Sequence, residues 1–371
     1  MDRRKFLLRA AAAAGKLTLA ACATGQGSTP DHAHSVLAYG AAGDGATDDS
    51  AAFQRAIDAA AGEVVRGRIG GGRVLVPYRP HGYRVSSIRL RSYVELLGVG
   101  GQVTLASRTD KPTLVGHGSD AGADGVLRKC RIADLHLQGN PRSGHGIDLV
   151  EHADNVIERL RIRAHGGDGI SARKRAGGAK SDGLVIDNVW IDDNRGCGIR
   201  FGPNSHYCQV RGASRLSNND GGNIGVRGAS FTMFGGVVGA SLGLSSVLVA
   251  EAQGGGFFGT EFEATPSRVR PGALVRLGAP GQGRARRMVF DGCVLTASGN
   301  PAPVVLIDAA NAEKIVVRGG HLDANSAAEI VGVRVAAESS RIVLDTVGFG
   351  GNIGKGGFRE IVDPAGRLSV R

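Results

Sequence analysis

The chain has 371 residues, of which 60 are glycine and 12 proline, with 42% hydrophobic and 21% charged residues and a formal net charge of +11. Glycine at about 16%, against a usual share of roughly 7%, with so little proline and no G-X-Y period, excludes collagen and disorder; the balance of apolar and charged residues excludes a polytopic membrane protein. What remains is a folded chain that turns at very short intervals, whose length would suggest two or three ordinary domains unless it repeats.

Residues Asp2 to Cys22 pass from a charged start into a short Ala-rich stretch, too short to be a stable membrane span. Arg3 and Arg4 ahead of Phe6-Leu7-Leu8 resemble a twin-arginine export signal. Leu19-Ala20-Ala21-Cys22 resembles a lipobox, where the Cys22 thiol is lipidated and cleavage follows Ala21. The expectation is a signal peptide over 1–21, a tether over 22–34 and one folded domain over 35–371, exported to the cell envelope and held at a membrane by its lipid. The leader holds five cations against Asp2, so the remaining chain keeps about +7. That surplus favours acidic partners such as uronate polymers, while nucleic acid is not expected for an exported lipoprotein.

Val36 and Leu37 suit a short strand, and Gly40 to Gly45 a tight turn. Thr47, Asp48 and Asp49 offer N-cap oxygens for a helix over about 48–61, in which Ala52, Phe53, Ala56, Ile57 and Ala60 follow helical spacing. Val74 and Val76, Tyr83 and Val85, Ile88 and Leu90, and Val94 and Leu96 then alternate with a period of two, separated by Gly, Pro or Ser.

The stretch Y-G-A-x-G-D-G-x-T-D-D-x-x-A-x-Q-x-A-I, followed by Val74 to Pro77, Tyr83-Arg84-Val85 and Leu96-x-Gly98-x-Gly100, resembles the N-terminal entry of the pectate lyase superfamily. The resemblance covers residues 36–100. It implies an all-β chain, a single-stranded right-handed parallel β-helix with an N-terminal capping α-helix. It also implies that Asp44, Asp48 and Asp49 are structural turn residues.

The rest of the chain repeats. Gly144-His145-Gly146-Ile147, Gly167-Asp168-Gly169-Ile170 and Gly196-Cys197-Gly198-Ile199 share a G-x-G-I pattern, and Gly222-Asn223-Ile224-Gly225-Val226 is a looser fourth copy. A strand lies upstream of each, as expected for one solenoid coil, and at roughly 25 residues per coil the chain from Arg73 to Pro364 holds on the order of 11 turns. Residues 228–260 are Gly-rich and fit no register. Cys130 and Cys208 fall at equivalent positions three coils apart, near 14 Å at ~4.8 Å per coil, beyond disulfide reach. Buried free thiols are expected, with Cys197 nearer the surface.

Stacked coils present equivalent side chains along a groove, which suits an extended polymer. The x of G-x-G-I is expected to point outward, displaying His145, Asp168 and Cys197, with Asp148, Ser171, Arg200 and Arg227 as the next outward column. His165, Asp192, Asp193 and Arg195 join from the strand-to-turn stretch, Trp190 from a strand, and Lys174 from a basic insertion reaching Lys180. Two chemistries fit. A uronate lyase needs a cation to neutralise the carboxylate and a base for the proton at C5, roles open to Arg195, Arg200, Lys174 and His145. An inverting hydrolase needs two carboxyls, and Asp168 with Asp192 or Asp193 is the candidate pair. A non-catalytic polysaccharide-binding scaffold is the third reading. His165, Lys174, Arg200, Arg227 and Trp190 are the candidate substrate contacts. No cofactor is called for, and Ca²⁺ is left open.

The family's catalytic sets are incomplete here. Gly144-His145-Gly146 precedes Asp192-Asp193 instead of following it, and no N-T-D or R-x-K accompanies them. Asn188 to Asp192 resembles a pectate-lyase stretch in which His stands where Asp193 is found. Phe, Tyr and Trp together number only 17, which favours carboxylated over neutral sugars.

Overall fold

The structure is a computed structural model describing residues 33–371, apart from 63, 66–67, 70, 118–124, 176, 179–180, 242, 244, 265–271, 280, 282, 300–302, 326–327 and 351–357. The expected leader, Cys22 and most of the tether lie outside the described residues, as does Lys180. Among the described residues no helix is long and apolar enough to cross a membrane.

The chain opens with a strand, Ala33–Ser35, then a 3-10 turn, Val36–Tyr39. A strand was expected at Val36 and Leu37. Gly40 instead takes a left-handed conformation (φ 88°), and its N–H folds back to the Leu37 carbonyl, which closes a 3-10 turn. The acidic run then shapes a loop. The Asp49 carboxylate accepts the Ala42 and Gly43 N–H groups, Asp44 accepts those of Ala46 and Thr47, and Asp48 accepts the Ser50 N–H and hydroxyl. All three acids are therefore turn residues, and helix α1 runs over Ser50–Gly62. Its buried face, Ala52, Phe53, Ala56, Ile57 and Ala60, lies on the first coil, with Phe53 edge-on to Tyr83 at 5.3 Å.

From Arg73 onward the chain is a right-handed parallel β-helix of three parallel sheets. Residues of the first sheet stack in register from Val74 through Leu96, Ile132, Ile157, Ile186, Val210, Met233, Phe257, Phe290, Val317 and Leu344, all inward, to Val370, which ends the column exposed. That is 11 steps over 296 residues, a mean of about 27 per coil, close to the spacing expected from the sequence. Such columns bury Val, Ile, Leu and Phe in every coil, and at ~25 cal/mol per Å² this interior is the main stabilising term. The Gly-rich stretch that fitted no register forms two long strands, Ile224–Phe234 and Ser245–Phe258, which run from one sheet into the next through register shifts after Val226.

Corners between the first two sheets turn on one left-handed residue, and many are not glycine: Asp134, Arg159, Asn188 and Thr346 take the place held elsewhere by Gly212, Gly235 and Gly292. Cys130 and Cys208 precede register-equivalent residues three coils apart, as expected, and the four described cysteines are buried free thiols. Cys197 departs from expectation: it is buried, and burial pushes its thiol up to about 11.

Candidate functional site

The third sheet carries the G-x-G-I copies, with Ile147, Ile170, Ile199 and Ile224 stacked in one inward column. The x residues are not displayed outward. Asp168 is 3% exposed, and Cys197 and Asn223 are also buried. The cause is a ladder between side chain and backbone along this corner. The Asp168 N–H donates to His145 Nδ1 at 2.8 Å, and the Cys197 N–H donates to Asp168 Oδ1 at 2.7 Å. Each x side chain thus turns toward the next coil, and His145 stays partly exposed because it ends the series. The bracketing glycines make room for this: a Cβ on Gly196 would stand 2.3 Å from Asp168 Oδ1, and one on Gly167 would stand 2.8 Å from His145 Nδ1.

The two buried acids hold cations outward. Asp168 binds Arg200 through two hydrogen bonds, Nε to Oδ2 at 2.8 Å and Nη2 to Oδ1 at 3.0 Å. This pairing holds the Arg200 guanidinium above its ordinary value. One coil earlier Asp148 is held by Arg173, through both terminal nitrogens, and by His117 Nε2 at 3.1 Å. Burial would raise the Asp148 carboxyl, but the bonds from His117 and Arg173 outweigh it and bring it to about 2. The product is a face with two arginines and two histidines turned to solvent over two anchored carboxylates.

The two histidines are set up oppositely. His145 Nδ1 accepts a backbone N–H, so its neutral form carries the proton on Nε2 and acts as a donor. His117 donates Nε2–H to Asp148, so its neutral form keeps a lone pair on Nδ1 and acts as an acceptor. Sequence reasoning missed His117 because its bracket, Gly116-His117-Gly118, is followed by Ser119 in place of the Ile of the repeat, and because it ends the strand Leu114–His117 in register with Val150.

The other sequence candidates lie elsewhere. His165 is fully buried at a corner, with its N–H on Asn194 Oδ1 and its Nδ1 3.4 Å from the Ser143 hydroxyl. Burial lowers its pKa to about 4, so it is an interior residue and cannot touch substrate. Arg227 is not in the expected column because Ile224 holds the inward place, which pairs Gly225 with Arg200 and Val226 with Phe201; Arg227 lies beyond and pairs with Glu251. Asp192 and Trp190 belong to the second sheet. Asp192 is buried against Arg161 and Arg163, and burial raises its carboxyl above the ordinary range despite them. Trp190 is 43% exposed, with Arg161 4.2 Å over its ring. Asp193 is a left-handed corner residue bound by Arg163 at 2.8 Å. Arg195 is exposed and donates to the Pro141 carbonyl. Lys174 follows Arg173 at the edge of the face, half-buried. Asp168 and Asp192 are thus on different sheets, each bound by arginine. Among the described residues no three of His, Cys, Asp and Glu converge as a group that could hold a metal ion.

Residues 33–219 match the sequence profile of the family described as rhamnogalacturonase A/epimerase, pectate lyase-like. No curated protein matches the chain. Several solved structures share the fold. The A-module of the Azotobacter vinelandii mannuronan C-5 epimerase AlgE4 is 16% identical, with 91% of this chain and 99% of that one covered at a TM-score of 0.61. PfbA, a surface adhesin of Streptococcus pneumoniae, is 14% identical, with 85% and 91% covered at 0.57. ORF18 of Geobacillus virus E2 is 18% identical at 0.52, and this chain spans 89% of its own length but 60% of that protein.

Proposed function

The chain belongs to the rhamnogalacturonase A/epimerase, pectate-lyase-like family, and from that membership we propose that it acts on a uronate-containing polysaccharide at the third-sheet face, by removing the proton at C5 and eliminating the C4 substituent. The observation that carries this reading is the pair of buried carboxylates, Asp148 and Asp168, spent on holding Arg173, His117 and Arg200 outward on neighbouring coils, with His145 held beside them by the Asp168 backbone N–H.

The chemistry needs three things, and each has a candidate group. Arg200 and Arg173 neutralise the substrate carboxylate, which stabilises negative charge as the C5–H bond breaks. His117, oriented by Asp148, accepts the C5 proton on Nδ1. His145 donates a hydrogen bond from Nε2–H to the departing oxygen at C4, which takes its proton from water. The electron pair of the C5–H bond becomes the C4=C5 double bond as the C4–O bond breaks. Return of a proton from water to the opposite face of C5, without elimination, would be epimerisation. The relative named as a mannuronan C-5 epimerase lends that second outcome its weight. The hydrolase alternative has less behind it, because Asp168, Asp192 and Asp193 are each bound by an arginine, and Asp192 is on the second sheet while Asp168 precedes a strand of the third. The leader and Cys22 place the protein at the cell envelope in this reading, with the polymer outside the cytoplasm.

The test is to incubate the protein with a panel of uronate polymers in D₂O. Ultraviolet absorbance from an unsaturated uronate marks elimination. Deuterium at C5 without absorbance marks epimerisation. New reducing ends without either would sink both and revive the hydrolase. Binding with no chemistry leaves a scaffold. Activity should fall at least a hundredfold in Arg200→Ala, the loss expected when a transition-state charge partner is removed.

A further inference from the structure

The third sheet repeats its device farther along the solenoid. The outward column of Asp148, Ser171 and Arg200 continues in register through Gly225 and Leu248 to Arg276, Asp308 and Arg334. Asp308 is 3% exposed, where a lone carboxylate would be costly. It is paired from both sides. Arg276 Nε donates to Oδ2 at 3.0 Å from the coil before; from the coil after, Arg334 donates Nε to Oδ1 at 3.0 Å and Nη2 to Oδ2 at 2.8 Å. Two guanidiniums on one carboxylate leave a surplus positive charge. Arg276 spends only Nε, and its two terminal nitrogens carry no hydrogen bond among the described residues. Beside them Gly272, Val304, Val305 and Val331 wall a cavity of about 390 Å³. Glu329, also at the cavity, is neutralised by Arg359 at 2.8 Å.

We propose that Arg276 and Arg334 form a second anion subsite, taking a carboxylate of the same polymer that Arg173 and Arg200 engage; this rests on the uronate reading above. Arg276 lies three coils beyond Arg200 and Arg334 five, so the two cation groups are about 14 to 24 Å apart at ~4.8 Å per coil. Gly225 and Leu248 stand between them in the column and put no negative charge on the path. A short oligomer reaches one group only. A chain long enough to reach both makes its second contact within the same complex and gains affinity by effective concentration. The subsite therefore makes the protein select long chains over short ones.

Uronate oligomers of increasing length, titrated calorimetrically into wild type, Arg276→Gln and the double variant Arg276→Gln/Arg334→Gln, test this. Wild-type affinity should step up by on the order of tenfold or more once the oligomer spans both groups. The double variant should lose the step while binding short oligomers as the wild type does. Arg276→Gln leaves both Arg334 bonds on Asp308 and so keeps the coil folded; it should show a reduced step at an unchanged melting temperature. A step that survives in the double variant, or a wild type with no step, overturns the subsite and leaves the uronate reading standing. A wild type that binds no oligomer of any length overturns both.

Discussion

Asp148→Asn tests the reasoning behind the candidate face. The Asp148 carboxyl sits at about 2 in the folded chain against an ordinary 3.8, because its bonds from His117 and Arg173 outweigh burial. A carboxyl lowered on folding stabilises the fold fully above the unfolded value, and that stability is lost as pH falls through the folded one. A shift of this size corresponds to about 2 kcal/mol at pH 7, falling to roughly half by pH 3 and vanishing below pH 2. Asn keeps the shape but not the charge, and Arg173 remains partly solvated, so no uncompensated buried cation adds to the loss. For a chain of this size the gap is about 3 °C in melting temperature. Melts of wild type and variant by circular dichroism at pH 7, 4, 3 and 2 would show it. Other acids titrate alike in both proteins, so the difference isolates Asp148. A gap absent at pH 7, or one that stays constant down to pH 2, would refute the assignment of His117 and Arg173 as partners that hold this carboxylate charged.

Two further outcomes follow from the same interior. His152 is fully buried, with both ring nitrogens unbonded, and burial lowers its pKa to about 4. The unfolded chain takes up that proton near pH 6.5, so wild type should lose stability as pH falls from 6.5 toward 4. The coil before has Leu127 at the paired position, so His152→Leu should fit and flatten this part of the melting profile; an unchanged slope would count against the burial argument. Gly196→Ala should disturb the site without touching substrate: its Cβ would press on the carboxylate that holds Arg200, and uronate affinity should fall on the order of tenfold while the far-ultraviolet spectrum stays native. Unchanged affinity would mean that Arg200 does not depend on Asp168 for its place.

Why the coils were legible and the site was not comes down to what a solenoid repeats. An inward position must be apolar in every coil, so Ile147, Ile170, Ile199 and Ile224 mark the register in the sequence and they stack as marked. The equivalence of Cys130 and Cys208 follows from that register, while the acidic turn was legible from the family resemblance of the entry motif. Outward and corner positions obey no such rule. Asp168 looked displayed because it is polar and glycine-bracketed, yet the glycines serve close approach: they let its carboxylate meet the backbone of the next coil. Arg227 looked aligned because it follows Val226 as Arg200 follows Ile199, yet Ile224 is the residue that stacks on Ile199, so Gly225 takes the place. His117 does sit between Gly116 and Gly118, but without the Ile that marks the repeat. It is made significant by Asp148 one coil on, two residues out of step with it in sheet register. A side chain that reaches across coils as well as along its own leaves no periodic trace, and the acid–cation pairs of this face are all of that kind. Arg276, Asp308 and Arg334 show that the rule can still be used in reverse: once one such pair is seen, following its column through the register finds the next.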